Sequence, residues 1–160
     1  TPIGRTSIYV ARKSDEYTIV VDTHGKLRWQ ADEADGHPLL CIVSEEVPEA
    51  YLETLRQQGI SWIAAGKGRI DLPKAMEALS EHFGVKRLAI VGGGHICGGF
   101  LEAGLIDEVS IMVAPGIDGR KGQTAVFDGI TDMGCNPFRL KLESVEQWPT
   151  DIVWLRYKMK

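Results

Sequence analysis

The sequence predicts an α/β fold: a mixed sheet, mainly parallel, with an antiparallel hairpin at its C-terminal edge and helices on both faces. Three observations carry this. Apolar runs alternate with helical patterns through the first two thirds of the chain, the order that βαβ units produce. Two of the runs, Leu39-Leu40-Cys41-Ile42-Val43 and Leu88-Ala89-Ile90-Val91, are continuous rather than alternating, as in strands covered on both faces. The tail instead carries two strand-like stretches joined by Pro149-Thr150, a hairpin pattern. A chain of 160 residues suits one domain, and a domain of that size buries roughly 70% of its unfolded surface.

The elements follow in order. Tyr17 to Val21 is rich in β-branched residues and is stopped by Asp22-Thr23-His24-Gly25, hence a strand and a turn. After the 39–43 strand, a helix is predicted over 44–58, with Tyr51, Leu52 and Leu55 on one face and Gly59 just past its end. A strand over 60–65 leads through the loop Gly66-Lys67-Gly68 to a helix capped by Asp71, with Pro73 in its first turn and Gly84 as its stop. The 88–91 strand runs into Gly92-Gly93-Gly94, and a helix follows over 96–103. Strands are predicted over 108–114, 140–147 and 152–158. The glycine-rich and polar stretch 116–137 is a long loop, and such loops in compact domains are often functional.

Composition excludes several classes. A net charge of −4 with no basic run argues against nucleic acid as a main partner. No apolar run reaches the roughly 18 residues a membrane span needs. The three cysteines, Cys41, Cys97 and Cys135, form no disulfide framework, which fits free thiols in a reducing, cytoplasmic compartment. No paired-cysteine or paired-histidine spacing suggests a metal; His24, His37 and His82 are scattered. Cys97 has no evident base to make it a nucleophile.

The sharpest chemical feature is Gly92-Gly93-Gly94-His95-Ile96. Glycines between a strand and a helix let a ligand approach the backbone, and the unpaired N–H groups of the helix start favour an anion such as a pyrophosphate. The spacing is neither the GxGxxG fingerprint nor a Walker loop. A tight turn needing glycine for geometry alone is the alternative. Ser44-Glu45 and Gly66-Lys67-Gly68 end two other predicted parallel strands, so three strand ends are expected on one side, where ligands of open α/β sheets gather. Ser44 is a candidate phosphate donor or a simple N-cap, and Lys67 a candidate cation for a 2′-phosphate or a solvated lysine.

The block from Leu88 to Gly94, followed by Phe100-Leu101-Glu102-Ala103-Gly104-Leu105-Ile106-Asp107-Glu108-Val109 and by Val113-Ala114-Pro115, resembles the reductase domain of riboflavin biosynthesis. Gly68 to Leu72, Tyr17 to Asp22 and Gly25 to Trp29 match further segments of that family. The resemblance implies a dihydrofolate-reductase-like fold, NADPH as hydride donor, a pyrimidine or pterin substrate and a homodimer. It implies cofactor contacts at Gly92, Gly93 and Gly94, with Ser44 and Gly66 beside them; His95 and Ile96 at the helix start and Lys67 at its strand end are further candidates by position alone. Asp22 and Lys26 are the candidates for the substrate side, and no catalytic residue is assigned.

Two departures stand out. Val91 precedes the glycines where the biosynthetic enzymes have Glu, which is closer to dihydrofolate reductase itself. Residues 1–16 match nothing in the family's opening strand–helix–strand unit, so that segment is expected to be lacking. The readings open from sequence are a reductase of the riboflavin pathway, a folate or pterin reductase, a non-catalytic nucleotide-binding dimerisation module, and an enzyme using another nucleotide.

Overall fold

A computed structural model describes residues 1–160, which divide into two compact units, Thr1–Ala89 and Ile90–Lys160. In the first, the chain forms β1 (Ser7–Tyr9), β2 (Thr18–Val21), β3 (Glu33–Ala34), β4 (His37–Val43), α1 (Glu49–Gln57), β5 (Ser61–Ala64) and α2 (Leu72–Phe83). The sheet order is β1-β5-β4-β2, with β3 added on β4. Strands β2, β4 and β5 are parallel, while β1 and β3 pair antiparallel.

The central strand β4 explains why its sequence is apolar without interruption. Leu39, Cys41 and Val43 point to one face and pack with Tyr51, Leu52 and Leu55 of α1. Leu40 and Ile42 point to the other and pack with Ala75, Ala78, Leu79 and Phe83 of α2. Alternation along a strand therefore serves two cores, and helices cover both faces as the sequence predicts. Each fully buried aliphatic side chain contributes about 1.5–3 kcal/mol.

Helix α2 has the expected ends: the Asp71 carboxylate accepts from the Lys74 N–H at 3.1 Å, and Gly84 closes it in the left-handed region at φ 68°. Helix α1 starts later than 44. Its N-cap is Pro48, without a side-chain cap. The residue before a proline is pushed away from helical angles, so Val47 cannot sit inside the helix and 44–47 stays a turn. Two strands were not predicted. In β1, Ile8 packs on the second core and Tyr9 stacks on Trp62 at 4.6 Å between centroids; β3 is a two-residue addition.

The second unit holds α3 (Gly94–Glu102), β6 (Glu108–Val113), β7 (Leu140–Gln147) and β8 (Val153–Met159). Its sheet is antiparallel, in the order β6-β8-β7. The predicted hairpin is β7–β8, and it stands with β6 in a sheet of its own. Register puts Val109, Tyr157 and Leu142 on one line, and Ile111, Leu155 and Val145 on the next, so one face is apolar and the other carries Ser110, Arg156 and Ser144.

The predicted strand over 88–91 does not form. A ladder needs a neighbour with free backbone groups, and neither sheet pairs with this segment. Val91, expected to be buried, is 96% exposed. Helix α3 correspondingly starts at Gly94, two residues before its predicted start. No helix of the chain is long and apolar enough to cross a membrane.

Candidate functional site

In the first unit the parallel strands end side by side: Val21 is level with Ile42, and Val43 with Ala64. The residues that follow these ends are Asp22, Ser44-Glu45 and Ala65-Gly66. Their chemistry is largely turned inward.

Asp22 is buried. Its carboxylate accepts the Lys26 N–H at 3.0 Å, the Leu27 N–H at 2.9 Å and the Tyr51 hydroxyl at 2.8 Å. Burial opposes its ionisation, but the Leu27 and Lys26 amides and the Tyr51 hydroxyl outweigh it and hold the carboxyl below its usual value. Asp22 thus folds the turn that follows β2. Lys26 contributes its amide to that turn, and its side chain is exposed. Burial pushes the Tyr51 hydroxyl up. Burial, with the Asp22 charge nearby, pushes the Cys41 thiol up to about 12, so Cys41 stays a neutral core residue.

Ser44 is fully buried and is not a helix cap. Its hydroxyl donates to the Thr23 carbonyl at 2.7 Å and accepts the Glu46 N–H at 3.3 Å. Those bonds tie the end of β4 to the end of β2. Gly66 has φ +93°, and a Cβ there would lie 2.3 Å from the Arg69 carbonyl oxygen and 2.4 Å from the Asp71 nitrogen. Only glycine fits that position. Lys67 beside it is exposed.

Glu45 stands beside Ser44 at the predicted strand end, but sequence reasoning gives it no role. It is only 7% exposed, and its Oε1 accepts the Thr6 hydroxyl at 2.9 Å and the Gly66 N–H at 3.3 Å. The Thr6 bond, aided by the Gly66 amide and the charges of Lys74 and Lys67, holds its carboxyl below the usual value against the effect of burial. In a sequence, Glu reads as surface, and Thr6 is too far along the chain to mark it.

In the second unit the glycine run divides by role. At Gly92 and Gly93 a Cβ would meet nothing within 4 Å. Gly92 has φ +119°, and Gly93 is the N-cap of α3 with no side-chain cap bond. Gly94 differs: a Cβ there would lie 2.3 Å from the Ala125 carbonyl oxygen, and at Gly98 one would lie 1.8 Å from that of Asp128. The segment 125–129 therefore lies directly on this face of α3, fastened by the Asp128 N–H donating to the Gly94 carbonyl at 2.9 Å. His95 is exposed and packs against Gly129; it does not cap the helix. Ile96 is half-buried, and Cys97 is buried.

The outcome is an open, bare helix start at Gly92-Gly93, where backbone N–H groups and the helix dipole favour an anion. Each unit presents its own candidate residues: Gly92 to Ile96 in the second, and Ser44, Gly66 and Lys67 in the first.

Known proteins place the chain. The model of the RibD C-terminal domain matches residues 9–154. A 2,5-diamino-6-ribosylamino-4(3H)-pyrimidinone 5′-phosphate reductase of Methanothermobacter thermautotrophicus is 31% identical over 128 residues, which are 79% of this chain and 57% of that protein. This chain therefore spans little more than half the length of that relative. Among solved structures, a pyrimidine reductase-like protein of Corynebacterium diphtheriae superposes with a TM-score of 0.73 at 21% identity, covering 89% of this chain and 60% of the other. RibD of Acinetobacter baumannii gives 0.69 at 22%, over 89% of this chain and 37% of its own. Those likenesses show the α/β, dihydrofolate-reductase-like fold expected from the sequence. With the match running through nearly all of both units, the chain belongs to the RibD C-terminal domain family.

Proposed function

We propose that residues 1–160 serve as one reductase domain of the riboflavin pathway, which uses NADPH to reduce a ribosylaminopyrimidine-type substrate and works in the cytoplasm as a homodimer. Family membership and the named reductase relative support a nicotinamide-dependent reduction. The observation that carries the cofactor reading is the open turn at Gly92-Gly93. A Cβ at either glycine would meet nothing within 4 Å, so the backbone there is open and suits close approach by a pyrophosphate.

In this reading Gly92, Gly93 and the first amides of α3 hold the pyrophosphate, with His95 and Ile96 flanking it. In the first unit, taken by itself, Lys67, exposed on its loop, is the cation we assign to a 2′-phosphate. Ser44 and Gly66 shape the backbone around that loop. Bound NADPH supplies the hydride. Asp22 sets the turn that presents Lys26, the exposed cation assigned to the substrate side. Val91, exposed before the glycines, supports a second reading in which the substrate is a pterin rather than a pyrimidine.

The test is titration of the purified protein with NADPH and, separately, NADH, read by thermal shift. Saturating NADPH at about 100 times its Kd should add about 2.7 kcal/mol of stability, with less from NADH. Gly93→Glu should abolish the shift and leave the unliganded protein folded. An unchanged NADPH affinity in that variant would return the glycines to a purely geometric role.

A further inference from the structure

We infer that Glu45 is a positioning residue of the cofactor site: its carboxylate fixes the Gly66-Lys67-Gly68 loop and so sets where the Lys67 charge stands. This rests on the reading above, in which Lys67 meets the 2′-phosphate.

Glu45 joins three segments. Its N–H donates to the Gly66 carbonyl at 2.8 Å, and the Gly66 N–H returns a bond to Oε1 at 3.3 Å. Main chain and side chain of one residue thus clamp both polar groups of Gly66. On the other side the Glu45 carbonyl accepts the Gly4 N–H at 2.9 Å. Thr6 donates to Oε1 and accepts from the Lys74 ammonium at 2.6 Å, which links the carboxylate to the first turn of α2.

The loop beyond Gly66 has little freedom. Its other end is held by the Asp71 N–H donating to the Ala65 carbonyl at 3.1 Å, and Gly66 itself admits no side chain. Between these ties two cations, Lys67 and Arg69, face solvent, and Lys67 is the one directly next to the clamped Gly66. The charges acting on the carboxylate are Lys74 and Lys67, and Glu46 stands by the loop itself, its Oε1 3.9 Å from where a Cβ on Gly68 would lie. A carboxylate held at a strand end by a hydroxyl and an amide, with a cation on the adjoining loop, is a support for that cation rather than a ligand itself.

The role is read from cofactor preference, because NADH lacks the phosphate that Lys67 would meet. Glu45→Ala should lower the preference for NADPH over NADH by about tenfold, as Lys67→Ala does, through weaker binding of NADPH. The double variant should lose no more than either single one, as expected of residues acting as a unit. Glu45→Gln keeps an acceptor for Gly66 and Thr6 and should retain the preference to within about twofold. Equal weakening of NADPH and NADH by Glu45→Ala, or weakening of neither while Gly93→Glu abolishes binding, would overturn this role alone. Failure of the unaltered protein to bind NADPH would overturn the cofactor reading and this role with it.

Discussion

The two units bury their apolar residues differently. Both core clusters lie in the first unit, where β4 is enclosed between α1 and α2. Of the large apolar side chains that stay exposed, all but Leu27 belong to the second. There the sheet has an alternating pattern, and the unit's buried apolar residues are Cys97 and Phe100 of α3 and Val109 of β6. The first unit is held by side chains packed on both faces of a strand. In the second, α3 is held to its loop by backbone lying against backbone, at positions where glycine leaves no side chain between.

That contrast can be broken by substitution. Leu40→Ala removes a fully buried side chain of β4 and should cost about 2–5 kcal/mol, measured by denaturant unfolding. The matching truncation in the second sheet, Val145→Ala, removes a side chain that is 55% exposed and should change stability by less than about 0.5 kcal/mol. Similar losses at both positions would mean that the second sheet packs as tightly as the first.

The next effect tests the glycines. Gly98→Ala drives a methyl group into the Asp128 backbone and should destabilise by about 1–3 kcal/mol, with faster amide exchange at Asp128. Gly93→Ala, with nothing in reach of the new Cβ and an ordinary φ of −73°, should stay within about 0.5 kcal/mol. Equal effects would dissolve the division of roles within the glycine run.

The smallest effect is electrostatic. Asp22→Asn should cost about 1 kcal/mol at neutral pH. The folded carboxyl ionises below the ordinary 3.8, so the stabilisation it gives is complete above that value and is lost as pH falls through the folded one. Unfolding curves of the two proteins should therefore converge in acid. A constant difference down to low pH would assign the loss to packing rather than charge.

Much of the fold was legible because local chemistry marks it. Asp71, Pro73 and Gly84 bracket α2, and the unbroken run 39–43 marks β4 as a doubly covered strand. The run 88–91 looks alike, yet forms no strand, because an apolar run says nothing about whether a pairing partner exists. Strand β1 was missed for the complementary reason: its pairing with β5 spans well over half of the first unit, and Ser7-Ile8-Tyr9 is too short to stand out. In the candidate site, the glycines could be found from spacing, whereas their division into open and packed positions depends on where 125–129 lies. Ser44 and Asp22 were visible as polar residues at strand ends, but their inward bonding to Thr23, the Asp22 turn and Tyr51 was not. Glu45 was visible only as the neighbour of Ser44 at the strand end; its bonds to Thr6 and Gly66 left no local trace.

The fastening of 125–129 to Gly94 and Gly98 also changes the chain statistics of the connection from β6 to β7. What reads as one long excursion over 114–139 is two shorter ones sharing a fixed midpoint. Loop closure depends only logarithmically on length, about 0.6 kcal/mol per doubling, so each arm can lengthen at small cost while the midpoint stays in place. Insertions within 116–123 or 130–137 should therefore cost little, with α3 keeping the same wall beside its first turn.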